Sequence, residues 1–395
     1  MPHQSSPLRA LANTALPVAP LAPISQHTAS RLYALFLPGL AVLLSAMLSA
    51  CGGGKQADTT SKVYTATCSD GSIRTSNKSQ TDAQNLCVPI DSSLQNWYAP
   101  ILTTAPPDPG YVDAQKVVYD IFNKARGDCG FGYITRNTKL DQAATAHANY
   151  NVVNNVFGHY EVAGKPGFTG VDSWARNTAA GYANYAPGTN EVGNVTSVFK
   201  VGDELVAVTS AAIELLAAPY HMAGILGNVG QSEIGIGVQF VPPVRNLTSA
   251  VVFADYGTPL GGRQQSLAAG DVRTYPCEGT TGTAYQLDGE DPNPVPGRIL
   301  LANPIGQPIF VMVARGHVLS IVSVTLTGPD GAVLAVLPTL NSSNDTTQRF
   351  LEPHYAIIMP DKPMLPMTKY SVLINGKDNN QPFTRQFSFT TGNTY

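Results

Sequence analysis

The chain contains 395 residues, a length that favours two or three domains, and 43% of them are hydrophobic, which is enough to bury a sizeable core. Only 13% are charged, against roughly 25% in an ordinary soluble protein, and the formal net charge is −3. The sequence has no cluster of Lys and Arg, so it lacks the electrostatic footprint of a nucleic-acid-binding protein, and we expect no nucleic acid among its partners.

The first predicted element is an apolar leader that follows Arg31 and reads LYALFLPGLAVLLSAMLSAC. It is similar to the signal of a bacterial lipoprotein, because small residues stand immediately before Cys51, the residue that would accept the lipid. A transmembrane helix is the alternative, since the run is almost long enough to span a bilayer. Pro38 and Gly39 favour a signal that is removed. We therefore expect residues 1–50 to be cleaved from the mature chain.

The lipid on Cys51 would be followed by a flexible tether over residues 51–62, which begin CGGGKQ. Two or more acyl chains anchor a protein stably to a bilayer, whereas a single chain is marginal. Gly52, rather than an aspartate, after the cysteine favours the outer over the inner membrane. The sequence thus predicts an extracytoplasmic chain that is held by lipid to the bacterial cell envelope.

The remaining cysteines predict two disulfides, because their number is even and the chain is expected in an oxidising compartment. They permit three pairings, and their spacing favours Cys68–Cys87, which closes a short loop, and Cys129–Cys277, which brackets the central region. A metal site is the alternative, but no CxxC spacing supports it. Residues 63–110 are accordingly predicted to be a small disulfide-stapled segment that ends in a Pro-rich linker.

Residues 111–280 are predicted to be an α+β domain. Three helical patterns come first, and in DAQKVVYDIFNKARGDCG they place Val117, Ile121 and Ala125 on one face. The pattern then changes to a period of two in EIGIGVQFV and SAVVFADYG, which predict an antiparallel pair of strands. Helices followed by such a pair indicate α+β rather than a doubly wound sheet.

The last part of the chain is predicted to be all-β. After a linker over residues 281–293, short alternating runs separated by GPDG and NGKDNN turns indicate a β-sandwich over residues 294–395. The run LPMTKYSVLINGKDNNQPFTRQFSFTTG resembles the last strands of a bacterial immunoglobulin-like domain.

The polar candidates for a functional site lie in the central region: His147, His159, Glu161, Glu191, Glu204, Glu214 and His221. The sequence contains no HExxH helix, no GxSxG elbow and no phosphate-binding loop after a strand. His147 is expected to be a hydrogen-bonded core histidine, since it shares an apolar stripe with Ala143 and Ala144. Glu161 follows a turn, where a carboxylate satisfies free backbone N–H groups.

The order of the segments LDQAATAHANYNVVNNVFGHYE, NEVGNV, AIELLAAPYHMAGILGNVGQSEIGIGV and VVFADYG is similar to the CAP superfamily, which includes the cysteine-rich secretory and pathogenesis-related proteins. The resemblance covers residues 112–258. It implies an α-β-α sandwich with a cleft lined by two histidines and two acidic residues, here His159, Glu191 and His221. The second acid is expected near Thr209 or Ser210, where this chain has none.

Three further carboxylates are additional candidates for the cleft: Glu161, Glu204 and Glu214. Two neutral imidazoles and one carboxylate can hold a divalent metal such as zinc with an open position, so we expect His159 and His221 to be the metal ligands if a cofactor is present. We expect a protein that binds a small amphiphile, an ion or a peptide. The alternatives are purely structural hydrogen bonding and a metal- or His/Glu-dependent hydrolase of the cell envelope.

Overall fold

The computed structural model describes residues 64–67, 73–76, 98–182, 190–227, 231–259, 262–345 and 351–394. The predicted signal, the lipidation site Cys51, the tether and the Cys68–Cys87 pair lie outside these residues. Residues 61–395 form one compact unit. No single helix in the described ranges is long and apolar enough to cross a membrane; Glu204–Leu215 and Pro219–Gly227 reach that length and composition only together, with a bend of 86° between them.

The five helices of the described residues are α1 (Asp113–Asp128), α2 (Thr138–Asn154), α3 (Ser173–Ala179), α4 (Glu204–Leu215) and α5 (Pro219–Met222), and a π-helical turn over Ala223–Gly227 continues α5. The strands are β1 (Tyr64–Thr67), β2 (Ile73–Ser76), β3 (Tyr98–Pro100), β4 (Thr135–Arg136), β5 (Asn190–Val195), β6 (Phe199–Lys200), β7 (Glu233–Phe240), β8 (Leu247–Thr248), β9 (Ala250–Gly257), β10 (Gln264–Ser266), β11 (Arg273–Tyr275), β12 (Thr280–Thr283), β13 (Ile309–Met312), β14 (Leu319–Thr327), β15 (Leu340–Asn341), β16 (Tyr355–Ile358), β17 (Lys369–Asp378) and β18 (Gln381–Thr391). The mixed α+β class predicted from the sequence is confirmed.

A four-stranded sheet of order β4-β7-β9-β5 forms the centre, with β7 antiparallel to β9 and β9 antiparallel to β5. Helix α2 lies directly on one face. A Cβ atom at Gly235 would lie 2.0 Å from the carbonyl carbon of Leu140, and one at Gly237 would lie 2.2 Å from that of Ala144. The glycines of the EIGIGV run therefore allow the helix to approach the sheet this closely.

The opposite face of the same sheet packs against α1 and α4. Ile234 and Ile236, which alternate with the two glycines, are fully buried in that core. The strand pattern predicted for this run is confirmed, and the central region has three layers: α2 and α3, the sheet, and α1 with α4.

The apolar face predicted for α1 is wrong by about one residue. Val118, Phe122 and Ala125 are buried in the core, whereas Val117 and Ile121 are only partly buried. Ala125 lies one helical turn after Ile121 and also after Phe122, so it fits the predicted stripe and the observed one. The stripe that contains the large ring of Phe122 is the one that faces the core. Burial of that ring contributes more than burial of either aliphatic side chain.

Helix α1 also fixes the turn that follows α5. Arg126 is completely buried; its Nε donates to the Gly132 carbonyl at 2.7 Å and its Nη1 donates to the Ile225 carbonyl at 2.7 Å. Burial lowers the pKa of this guanidinium to about 10. The π-helical turn is thereby held to α1, and the preceding helix α5 receives a fixed position.

Two four-stranded sheets, of order β11-β13-β16-β15 and β12-β18-β17-β14, pack face to face in the last third of the chain. Strands β17 and β18 form a long hairpin that closes on Asn379 and Asn380, both at positive φ, within the predicted NGKDNN turn. Asn tolerates this left-handed conformation better than most residues.

The central region and the β-sheets are joined by packing and by a covalent bond. The predicted disulfide Cys129–Cys277 is confirmed, with a Cα–Cα distance of 5.5 Å. The Tyr355 hydroxyl donates to the Gly227 carbonyl, and Leu287, within residues 281–293, is buried in the same core as α1. The segment between the two regions is thus packed against its neighbours.

Candidate functional site

His159 lies in the loop that leaves α2. The helix ends at Asn154, and its C-cap residue Asn155 takes the left-handed conformation (φ 51°). The Nδ1 atom of His159 lies 2.9 Å from Oε1 of Glu191, and the side chain is 42% exposed while that of Glu191 is buried. One ring nitrogen of His159 is therefore held by the protein, and the other, Nε2, has no hydrogen-bond partner among the described residues.

Glu191 is fixed from behind by a buried arginine. Arg176, on α3, donates from Nη2 to Oε2 of Glu191 and from Nη1 to the carbonyl of His159 at 3.0 Å. Burial alone would raise the pKa of Glu191, but the hydrogen bond to His159 and the charge of Arg176 outweigh it and lower the pKa to about 2. Glu191 is consequently an ionised acceptor at neutral pH.

His147 and Glu161 lie behind this pair, inside the protein. His147 is fully buried, with Nδ1 2.9 Å from Oε1 of Glu161 and Nε2 2.9 Å from the Gly158 carbonyl. The expectation of a hydrogen-bonded core histidine is confirmed, and burial lowers the pKa of His147. The other oxygen of Glu161 accepts from the backbone N–H of Thr169 at 2.6 Å and of Gly170 at 3.3 Å. Glu161 therefore holds the loop rather than facing the opening.

Asp255 is a buried acid that the sequence analysis did not select. It lies directly opposite Glu191 across the β5–β9 pair, and neither carboxyl oxygen meets a hydrogen-bond donor among the described residues. Burial and the neighbouring charge of Glu191 raise its pKa well above the usual value. A protonated Asp255 can donate to Glu191, so the two acids carry one proton between them. The signal in the sequence was an aspartate inside the otherwise apolar run VVFADYG.

His221 has its own buried carboxylate. Its Nδ1 atom lies 3.0 Å from Oε1 of Glu290, and the same oxygen accepts from the backbone N–H groups of Tyr220 at 2.8 Å and His221 at 3.2 Å. Glu290 thus caps α5, which begins at Pro219, and orients the ring at the same time. Burial raises the pKa of Glu290, and the bonds to His221 oppose the rise.

The structure brings the predicted trio together. The ring centroids of His159 and His221 are 6.5 Å apart, with Glu191 behind the first ring and Glu290 behind the second. Glu290 was not among the sequence candidates: it places a carboxylate behind His221, whereas the second acid was expected near Thr209 or Ser210. We call these four side chains (His159, Glu191, His221 and Glu290) the paired-histidine cleft.

Glu204 and Glu214 are not part of this cleft. Glu204 is half-buried and accepts from the backbone N–H of Gly202 at 2.9 Å, which satisfies that N–H group immediately before α4. Glu214 accepts from the side-chain amide of Asn194 at 3.0 Å. Burial, in part offset by that hydrogen bond, raises the pKa of Glu214. Both carboxylates therefore have local structural roles, and neither contacts a histidine.

The fit of zinc to this cleft is incomplete. Each histidine places Nδ1 within hydrogen-bond distance of a carboxylate oxygen, as metal-ligating histidines do. Catalytic zinc, however, takes three protein ligands. In the part of the chain that the structure describes, no group of three or more His, Cys, Asp or Glu is arranged to hold a metal ion. The cleft supplies two imidazole nitrogens, so we assign it no resident zinc.

A cavity of about 470 Å³ lies at the start of α2, and its lining includes none of the four side chains of the paired-histidine cleft. Its lining is Arg136, Asn137, Thr138, Lys139, Tyr182, Glu233 and Pro259. The charged side chains there are already engaged: Arg136 pairs with Asp141, Lys139 bonds the Gly181 carbonyl and Glu233 accepts from Tyr182.

Comparison with known proteins gives only distant likenesses. No family model matches the chain, and no curated protein matches it. Among solved structures, it is similar to an extracellular protein containing an SCP domain from Bacillus anthracis (14% identity, TM-score 0.25, 36% of this chain and 40% of that one). It is also similar to an outer surface protein from Borrelia burgdorferi (14% identity, TM-score 0.25, 38% of this chain and 96% of that one). A third similar structure is the copper resistance protein PcoC from Escherichia coli (14% identity, TM-score 0.17, 30% of this chain and 94% of that one). The chain thus spans less than half the length of the first of these structures.

Proposed function

We propose that this chain is a CAP-type binding protein whose paired-histidine cleft takes a small ligand through the two Nε2 atoms. The observation that carries the proposal is the juxtaposition of two rings, 6.5 Å apart, that each present Nδ1 to a buried carboxylate. The three-layer arrangement of the central region and the sequence motifs around His159 and His221 support the CAP assignment.

The carboxylates determine what the cleft offers to a ligand. Glu191 is ionised, so the Nδ1 atom of His159 donates a proton to it, which leaves Nε2 of the neutral ring as an acceptor. Oε1 of Glu290 already accepts from the backbone N–H groups of Tyr220 and His221, so it is also the acceptor for Nδ1 of His221. Two acceptor nitrogens in front of two buried acids favour a ligand that carries N–H or O–H donors or a positive charge, such as a cation, a peptide amine or an amphiphile with such a headgroup.

Apolar side chains stand next to the acceptors. Phe157 is 41% exposed and stacks on Phe253 with centroids 5.7 Å apart, and Phe253 also contacts the ring of His159 at 6.1 Å. A ligand with an apolar part next to its polar group fits this arrangement. A hydrolase is less well supported, because no hydroxyl or thiol nucleophile in the described ranges is bonded to either Nε2 atom.

We place the protein outside the cytoplasm, in a bacterial cell envelope and anchored by lipid at Cys51, in the outer membrane. The disulfide Cys129–Cys277 supports an oxidising compartment, and the leader sequence supports the anchor. We further propose that the two packed C-terminal sheets form an immunoglobulin-like sandwich, which the long β17–β18 hairpin and the shared core support.

The function is tested by calorimetric titration of the purified protein at neutral pH, with Zn²⁺ as a probe for the paired nitrogens. We expect one weak site per chain that is lost in His159→Ala and in His221→Ala. Glu290→Gln should weaken it by roughly 10- to 100-fold, as for removal of other carboxylates that orient ligating histidines. His317→Ala is the matched control, since His317 pairs with Asp378 in the C-terminal sheets. Equal binding by all four variants and the unchanged protein would refute the cleft.

A further inference from the structure

One end of the central sheet exposes a cluster of large apolar side chains. Strand β5 ends there at Val195 and β7 ends at Phe240, on either side of the start of β9. Eight such side chains, each between 40% and 70% exposed, come from the two segments 195–206 and 240–247: Val195, Val198, Val201, Leu205, Val206, Phe240, Val244 and Leu247. We call this surface the apolar tip. Exposed apolar clusters of this kind mark interaction sites.

Backbone N–H and C=O groups of the apolar tip form hydrogen bonds with one another. Strand β6 pairs with β8, and the Val201 N–H donates to the Asn246 carbonyl at 3.2 Å. Val244 and Leu247 exchange both N–H···O bonds, at 2.9 and 3.0 Å, around a two-residue turn at positive φ. Turns of this kind are usually polar, but here the two flanking side chains are aliphatic and exposed. Because these N–H and C=O groups are paired internally, the tip can enter an apolar phase without leaving them unsatisfied.

The charges around the tip favour an anionic surface. Lys200 and Arg245 have no carboxylate partner among the described residues. The acids nearby are at the start of α4: Glu204 accepts from the Gly202 N–H, and Asp203 directly precedes the helix, where the helix dipole favours negative charge. The two free cations are therefore available to lipid phosphates, beside the aliphatic side chains.

We propose that the apolar tip docks on the surface of an anionic lipid bilayer, with its aliphatic side chains among the acyl chains and Lys200 and Arg245 at the headgroups. A bilayer fits better than a partner protein because the tip consists of turns and strand ends that project from the sheet, and a bilayer receives such a shape without a matching pocket. The predicted lipid on Cys51 would keep the tip close to a membrane, and a second contact of this kind would orient the protein on it. The proposal is independent of the paired-histidine cleft.

The test is flotation of the compact unit 61–395, which contains both cores and the Cys129–Cys277 disulfide, with vesicles of phosphatidylcholine and phosphatidylglycerol. We expect this unit to float with the vesicles although it lacks the lipidated cysteine. Val206→Glu/Val244→Glu should reduce the partition coefficient roughly tenfold or more, because two aliphatic side chains no longer leave water. Lys200→Ala/Arg245→Ala should remove the preference over vesicles of phosphatidylcholine alone.

The matched control is Val322→Glu/Val333→Glu, since these valines are 64% and 66% exposed in the C-terminal part of the chain. It should float like the unchanged protein. Circular dichroism verifies folding, and Val244→Glu alone, on the turn, replaces the double variant if that one unfolds. The proposal is overturned if the unchanged unit stays with the soluble fraction, or if tip and control variants float equally. Sedimentation that shows a dimer dissociated by the tip variant would assign the surface to a second copy instead.

Discussion

Arg176→Met is expected to lower the free energy of unfolding by about 3–5 kcal/mol, the cost of removing one partner from a buried ion pair. Arg176 is fully buried and donates from Nη2 to Glu191. Its Nε atom lies 3.9 Å from Oε1 of Glu161. Without the guanidinium, the ionised Glu191 and the buried Glu161 would remain in the interior without their shared cationic partner. Methionine fills a similar volume, so the decrease in the free energy of unfolding comes mainly from the lost charge and not from a new cavity.

Urea unfolding at neutral pH measures this effect, and Arg273→Met is the control. Arg273 pairs with Asp271 at 3.2 Å, but both side chains are about one-third exposed, and such pairs contribute about 1 kcal/mol or less. The lowered pKa of Glu191 adds a pH signature, because its contribution is complete above the usual pKa and is lost as the pH falls toward 2. Equal losses in the two variants would show that Arg176 does not hold the buried acids.

Asp255→Asn is expected to stabilise the protein, and the gain should grow as the pH rises. The raised pKa means that the folded state keeps a proton which the unfolded chain releases above about pH 4. The wild-type protein therefore loses stability with rising pH at this position, by up to about 1.4 kcal/mol per pH unit until Asp255 ionises in the folded state. Asparagine cannot ionise, and its amide can still donate to Glu191.

Unfolding of Asp255→Asn between about pH 3 and pH 8 tests this assignment. Asp141→Asn is the contrasting control, because Asp141 is also buried but accepts from Arg136 at 2.7 Å and from the Ile236 N–H at 2.9 Å. That substitution should destabilise the protein at neutral pH. A pH-independent effect of Asp255→Asn, or a loss of stability at neutral pH, would mean that the two acids do not share a proton.

The features that the sequence predicted correctly depend on local patterns. The alternation in EIGIGVQF is visible within eight residues, and it placed Ile234 and Ile236 in the core and left the glycines to receive α2. The even cysteine count predicted disulfides, and the spacing of the cysteines favoured the Cys129–Cys277 pairing that the structure shows. The CAP resemblance grouped His159, Glu191 and His221, and the structure brings these three side chains together; their role in binding stays a prediction.

The features that the sequence did not predict depend on contacts between distant segments. Glu290 lies 69 residues after His221, in a segment read as a linker, and nothing local marks it as the partner of an imidazole. Asp255 is an acid in a strand whose other residues fit an apolar core, and only the register with Glu191 explains it. The one-residue shift of the α1 face arose because Ala125 fits two stripes, and tertiary packing of Phe122 decided between them.

Long-range ¹H–¹⁵N NMR of the histidine rings tests the paired-histidine cleft most directly, since it distinguishes the two neutral tautomers of each ring. For the neutral form of both rings, we predict the Nδ1–H tautomer at His159 and at His221, each bonded to its carboxylate. Zn²⁺, added as a probe, should then shift both Nε2 resonances together, with a single equivalence point. An Nε2–H tautomer at either position, or a shift of one ring without the other, would contradict a shared cleft.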